Sequence, residues 1–444
     1  MKIRLCEGGV SDAGVLRAQQ RAAIERAAAE WKTNHRLRRA PLWFEGDKLC
    51  AAYNIAGVLQ AGETQIEVFP KLDAHLLDES TPDDAQSQSV LGSVLWMIEA
   101  AAHDGIFSAG QAELRDAPTS FWELWARLLA TPLLRELQSG VPRRYRLESD
   151  DLSFVRGKIQ VGAQVSRNWN RMDRVACAWD EFTPNTPLAR LLACACRFLS
   201  VRVHNPNTRF LLENCLALLD DVEIPDAATA LQQSRNFRFH RGDERFRACF
   251  DFARRLLQSA AHNLGAGESS GFAFFLEMDK VWENYVGAVL RTHYRVAVSK
   301  KIVGYLFPDL PVARIQQEAD HFWQSEGKTF IGDSKYKHLA PGAQALQFEN
   351  LPEIQAEELA GRVLCAADVR QLTVYAELAR LASEDSYGDA RDYHLLLLYP
   401  YVEQGFLQRA STRAWNGSRF SLVPVSPFPR AHLADCLAPE IPAS

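Results

Sequence analysis

Asp320, Asp333 and Lys335 are the side chains whose types and spacing could do chemistry. They fall in Val312–Lys337, VARIQQEADHFWQSEGKTFIGDSKYK, where alternating side chains run up to a break at Gln324-Ser325-Glu326-Gly327 and resume after it. That pattern predicts two strands joined by a tight turn. On the first strand Arg314, Gln316, Glu318 and Asp320 share one face, while Ile315, Ala319 and Trp323 take the other. On the second, Asp333 and Lys335 share a face. Pairing across the turn then sets Glu318, Asp320, Asp333 and Lys335 on one side of the sheet, within diagonal reach. Carboxylates and an ammonium on mostly apolar strands need a cation or a hydrogen-bond partner to offset lost solvation. A hard ion such as Mg²⁺, held by Asp oxygens and completed by water, would serve. Taken alone, the stretch leaves open an exposed hairpin carrying a surface ion pair.

Neighbouring elements must position these groups. Glu277–Leu290 (EMDKVWENYVGAVL) reads as an amphipathic helix carrying Glu283. Asp368–Leu381 reads as a second helix, with Gln371 and Tyr375 one turn apart on the same face. Tyr393–Tyr399 (YHLLLLY) is a short apolar run suited to a buried strand. Pro308-Asp309, flanked by Pro311, is better explained as a turn before the hairpin than as a ligand.

Asp320 followed thirteen residues later by Asp333-Ser334-Lys335 resembles the active-site hairpin of the PD-(D/E)XK nucleases. Gln371–Tyr375 (QLTVY) is similar to the QxxxY signature of their RecB-like branch. Ala319 stands where the motif's name has proline, a position that touches no metal. The resemblance implies an αβββαβ core in which Asp320, Asp333 and the Ser334 carbonyl hold Mg²⁺, with Mn²⁺ as a substitute. It further implies that Lys335 orients or activates a water and adds positive charge near the phosphate. Glu283 would be an outer ligand or a residue on a solvated helix face; Glu318, on the same predicted strand face as Asp320, is a candidate to support the ligands from behind. Gln371 would lie near the metal or the DNA backbone, with Tyr375 there too or in ordinary helix packing. Lys337 is a phosphate contact or a solvated lysine.

With 444 residues the chain has room for two or three domains and a large core. The expected architecture is multidomain α/β (α+β). It comprises an amino-terminal mixed β-rich module over 1–73, a mixed then helical middle region over 74–271, and a nuclease domain over 272–444. The second of these would serve partner docking, with a basic run (Arg143, Arg144, Arg146, Arg156, Lys158, Arg167, Arg171, Arg174) either tracking DNA or forming an ordinary basic rim. A net charge of −5 does not advertise nucleic-acid binding but does not exclude it. Nine cysteines without a CxxC or a zinc-type spacing read as reduced thiols. The start, MKIRLCEGGV, has no signal-peptide core and no run is long enough to span a membrane, so a cytoplasmic protein is expected. No GxxxxGK[ST] loop occurs, so the chain should not hydrolyse nucleotides itself.

A wider resemblance covers roughly residues 50–400. Gly57–Leu72 (GVLQAGETQIEVFPKL), Trp122–Tyr145 ending in GVPRRY, Val155–Ile159 (VRGKI) and Cys177–Leu192 (CAWDEFTPNTPLARLL) are similar to segments of McrC proteins. These are nuclease subunits of modification-dependent, McrBC-like type IV restriction systems. The resemblance implies an Mg²⁺-dependent DNA endonuclease that acts with a separate McrB-like AAA+ GTPase and stimulates its GTP hydrolysis. A stand-alone RecB-like repair nuclease and a non-cutting activator of such a GTPase are the alternatives.

Overall fold

A computed structural model of the chain describes residues 1–72, 81–102, 117–261, 271–295, 297–306, 315–325, 327–336, 366–382, 393–400, 410–413, 419–427 and 437. The fold is mixed α/β, with several small sheets and helices. It packs as two compact units, one formed by residues 1–121 with 273–444 and the other by residues 122–272. Segments read from the sequence as separate amino- and carboxy-terminal domains thus belong to one unit.

The chain opens with β1 (Lys2–Cys6), β2 (Val10–Asp12), α1 (Ala18–Asn34), β3 (Leu42–Glu45), β4 (Lys48–Ala51), β5 (Ile55–Ala61), β6 (Thr64–Phe69) and α2 (Asp84–Ala102). EGD and AGE close the β3–β4 and β5–β6 hairpins. Ser11 and Asp12 do not cap α1, because they pair with Leu49 and Lys48 of β4. The cap instead lies at Arg17, whose N–H donates to Gln20 Oε1 at 2.9 Å. Helix α2 begins at Asp84. Asp83 and Gln86 exchange side-chain and backbone hydrogen bonds at 2.7 and 2.8 Å, a capping box at the start of α2.

The second unit holds most of α3 (Phe121–Gln138), then β7 (Arg144–Leu152), β8 (Lys158–Ile159), α4 (Val161–Arg167), β9 (Val175–Thr183), α5 (Pro187–Ser200), α6 (Pro206–Leu218), α7 (Ala227–Ser234) and α8 (Arg247–Ala261). Thr186, Asn205 and Asp226 cap α5, α6 and α7 through their side-chain oxygens, and Pro187 and Pro206 follow at the first helical position. Helix α5 buries Leu188, Leu191, Leu192, Cys194, Cys196 and Leu199. Its two thiols are free and buried. Strands β7, β9 and β8 form a small antiparallel sheet.

The remaining elements are β10 (Gly271–Glu277), α9 (Met278–Tyr294), β11 (Ser299–Leu306), β12 (Ile315–Ser325), β13 (Lys328–Ser334), α10 (Ala366–Ala382), β14 (Tyr393–Pro400), β15 (Ala410–Arg413) and β16 (Arg419–Val425). β10 adds to the amino-terminal sheet, ordered β1-β6-β5-β10. A Cβ on Gly57 would sit 2.2 Å from the Phe274 carbonyl oxygen, so only glycine allows β10 to lie that close to β5. The larger sheet runs β11-β12-β13-β14-β16-β15, with β13, β14 and β16 parallel and the other pairs antiparallel. Parallel neighbours need a crossover, and α10 lies between β13 and β14 in the chain. Leu372, Tyr375 and Ala376 of α10 share a buried cluster with Ala319, Ile331, Leu395, Leu397 and Phe420. That packing holds α10 against the sheet next to the end of β13.

Candidate active site

Ser325 pairs with Lys328 across a two-residue turn in which Gly327 has φ +76°. A left-handed residue there is what a two-residue hairpin needs. The ladder continues to His321 opposite Gly332, and Asp320 and Asp333 lie one step beyond. Asp320 Oδ2 accepts the Ser334 N–H at 2.9 Å. Lys335 Nζ lies 2.7 Å from Asp333 Oδ2 and donates to Gln371 Oε1 at 3.3 Å. Gln371 Nε2 in turn donates to the Tyr375 hydroxyl. The Lys335 N–H is anchored on the Leu398 carbonyl at 2.8 Å. Asp320, Asp333, Lys335, Gln371 and Tyr375 are thus brought together at the carboxyl end of β13.

The electrostatics are those of two acids forced close in a dry place. Asp333 is 1 % exposed. Burial pushes the Asp320 carboxyl up from 3.8 to about 6, and the Asp333 charge and a side-chain hydrogen bond with Asp333 add to the rise. The Ser334 N–H and Lys335 pull it partly back. Burial alone would depress Lys335, but the Asp333 charge beside it, with Asp368 and Asp320, raises it above its ordinary value. Lys335 is therefore an ammonium at neutral pH. Burial also raises the Tyr375 phenol. Asp333 Oδ2 is buried and ion-paired with the Lys335 ammonium at 2.7 Å, and it accepts no hydrogen bond. The ion pair rests on charge, and the buried oxygen keeps a lone pair for another partner. Among the described residues no three His, Cys, Asp or Glu side chains converge as a ligand set. Two carboxylates are nonetheless the number that Mg²⁺ commonly takes from a protein, its other positions going to water and phosphate.

The elevated carboxyl has a measurable consequence. Its folded value lies above the ordinary one, so Asp320 favours the folded state below pH 4 and loses that contribution as pH rises through about 6. A divalent cation would displace the proton. Its affinity, followed by titration calorimetry, is expected to climb about tenfold per pH unit below 6 and to level off above it.

Other predicted residues are placed differently. Glu283 pairs with Lys300 of β11, whose ammonium it raises by hydrogen bonding, so it is not on a freely solvated face. Glu318 is exposed and does not share the face of Asp320 and Asp333. The register of β11 against β12 shifts between Ser299 and Lys301, opposite Phe322 and Ala319. Ala319 and Phe322, three residues apart, both pack on the cluster that contains Ile331. A bulge has broken strict alternation between them and turned Glu318 away. Pro308, Asp309, Arg314, Glu326, Lys337 and His338 lie outside the described residues.

Sequence reasoning passed over His321, Lys300 and Asp368. His321 is buried, and burial with the Lys300 and Arg291 charges pushes it down to about 3, so its ring is neutral. Its Nε2 lies 2.5 Å from Ser334 Oγ, on the face opposite Asp333. No motif marks it; a polar residue among the apolar alternates Ala319 and Trp323 was the available signal. Buried Asp368 opens α10 and acts on Lys335 by charge.

No curated protein matches the chain. Among solved structures it is similar to a chain in the refined half-complex from the tetradecameric assembly of Thermococcus gammatolerans McrB AAA+ hexamers with bound McrC. That likeness has a TM-score of 0.64 at 16% identity, covering 96% of this chain and 95% of the other. A chain of the Thermococcus gammatolerans McrBC complex solved by cryo-EM aligns at a TM-score of 0.46 and 19% identity, over 65% of this chain and 87% of the other. At such identities the first likeness is one of fold. The family model described as McrBC 5-methylcytosine restriction system component matches residues 50–351. That match spans more than half of the chain and agrees with the McrC-like segments read from the sequence, so the chain belongs to the McrBC 5-methylcytosine restriction system component family.

Proposed function

We propose that this member of the family is the DNA-cutting subunit of its restriction system, an Mg²⁺-dependent endonuclease of the PD-(D/E)XK type. The observation that carries the reading is the meeting of Asp320, Asp333 and Lys335 at the end of β13. The order α9, β11, β12, β13, α10, β14 is the αβββαβ order that the type requires and supports it.

The residues fit a divalent cation. Asp320 and Asp333 would hold it, with the Ser334 carbonyl beside them, and the lone pair of buried Asp333 Oδ2 is the donor such an ion uses. When bound, the ion supplies Lewis-acid stabilisation of charge on the scissile phosphate and acidifies water. Lys335, held as an ammonium, sets a positive charge where the phosphate becomes more negative, which favours electrostatic stabilisation over proton abstraction. Gln371 fixes the Lys335 rotamer, and Tyr375 fixes Gln371. Glu283 and Lys300 neutralise each other on neighbouring elements.

The partner reading rests on the family. In the Thermococcus gammatolerans assembly McrC is bound to McrB AAA+ hexamers, and this chain has no phosphate loop of its own. We assign it a separate AAA+ GTPase partner whose hydrolysis it stimulates. The exposed apolar side chains of the second unit support a docking role: Tyr145, Phe154, Trp169 and Met172 are all more than half exposed on or beside the β7-β9-β8 sheet. A Phe154→Ala/Trp169→Ala variant is expected to weaken stimulation of the GTPase about tenfold or more while leaving Tm unchanged. Titrating the chain into a steady-state GTPase assay measures this.

Among the described residues no helix is long and apolar enough to cross a membrane. The test of the function is cleavage of plasmids with and without 5-methylcytosine, in the presence and absence of the GTPase and GTP. Cutting of the methylated plasmid only with both is expected. Cutting by the chain alone would favour a stand-alone nuclease, and GTPase stimulation without cutting would favour an activator.

A further inference from the structure

Glu7, just past β1, is buried to 2 % exposure and lies 329 residues from Tyr336, which follows the end of β13. Its carboxylate collects three donors from three segments. Oε1 accepts the Tyr336 hydroxyl at 2.6 Å and the Lys71 N–H at 2.9 Å, and Oε2 accepts the Asn54 N–H at 2.6 Å. Tyr336 is itself buried and follows Lys335 directly. On the amino side of Lys335, its own N–H is bonded to the Leu398 carbonyl. The backbone that launches the Lys335 side chain is therefore held from two directions. One hold comes from β14 of its own sheet and the other from the amino-terminal module.

We infer that Glu7 is a positioning residue for Lys335, acting through the Tyr336 hydroxyl, so that the state of the amino-terminal module is read at the end of β13. This rests on the nuclease reading for its catalytic consequence. A buried carboxylate is an expensive way to fill space, and a phenylalanine would pack where Tyr336 does. What the acid and the hydroxyl add is a directional bond that fixes one ring relative to three backbone segments. Lys335 must meet Asp333 at 2.7 Å and Gln371 at 3.3 Å at once. A small rotation of the following residue would break one of the two.

Tyr336→Phe removes only the hydroxyl, and Glu7→Gln removes the charge while keeping the shape. With the full chain, its GTPase partner and GTP, Tyr336→Phe is expected to lower kcat for cleavage about tenfold, with KM for DNA and half-saturating Mg²⁺ unchanged. Glu7→Gln should give a similar loss, and the double variant no more than either single one. Independently of cleavage, acylation of Lys335 by a succinimidyl ester, read by peptide mass spectrometry, should quicken about threefold or more in Tyr336→Phe as its hold on Asp333 and Gln371 loosens. Unchanged acylation, or kcat losses that add in the double variant and follow Tm, would overturn the inference. If wild-type chain cut no DNA but Lys335 acylation still responded, the nuclease reading would fall and the positioning role would stand.

Discussion

Asp320→Asn is expected to abolish cleavage and, in metal-free buffer at pH 7, to leave the protein more stable than wild type. Losing one of two carboxylates that would hold the ion removes several kcal/mol of stabilisation, about 10³-fold in rate or more. Stability moves the other way for a separate reason. Raising a carboxyl from 3.8 to about 6 means that its ionised form costs the fold about 3 kcal/mol. An Asn amide still accepts the Ser334 N–H and can donate to Asp333, without that cost. Part of the gain is offset by the new geometry, so a Tm rise of about 2–4 °C is expected. The rise should vanish toward pH 4, where wild-type Asp320 is protonated as well, and it should reverse in saturating Mg²⁺, which stabilises only the wild type. Scanning calorimetry at three pH values, with and without Mg²⁺, measures all of this. A variant destabilised at pH 7 without metal would show that Asp320 is a structural ion-pair member.

Lys335→Ala carries the opposite sign in stability. The ammonium lies beside Asp333 and close to Asp320 and Asp368, so its removal leaves buried negative charge without a counter-ion. A metal-free loss of about 1–3 kcal/mol is expected, moderated because Lys335 is partly exposed. Cleavage should fall about 10²–10³-fold, the usual effect of removing one group that stabilises transition-state charge. Mg²⁺ affinity should rise, since a competing cation has gone. Lys335→Arg keeps the charge but cannot place a compact ammonium between Asp333 and the Gln371 amide, so it should restore stability and little activity. Kinetics that recovered fully in Lys335→Arg would point to bulk charge at the site in place of a positioned ammonium.

How much of this could be read beforehand follows from the range of each interaction. The hairpin was legible because its information is local: alternation, a glycine at the turn, and two acids with a lysine. So were α9, α10 and β14, whose apolar patterns are set by the faces they bury. Glu318 was misplaced because alternation assumes an unbroken ladder, and the bulge between β11 and β12 depends on a partner strand that the hairpin alone does not reveal. Glu283 could be seen as an acid on a helix, but not that Lys300 would meet it. Glu7 was invisible, since an acid ending an ordinary edge strand has no signature linking it to Tyr336.

The central claim is that Asp320 and Asp333 share one divalent cation. Crystals of the chain soaked in Mn²⁺, with anomalous differences collected at the manganese edge, test it most directly. A single strong peak between the two carboxylates, lost in Asp320→Asn, is the expected result. Crystals without a peak there, or with manganese bound only elsewhere, would contradict it.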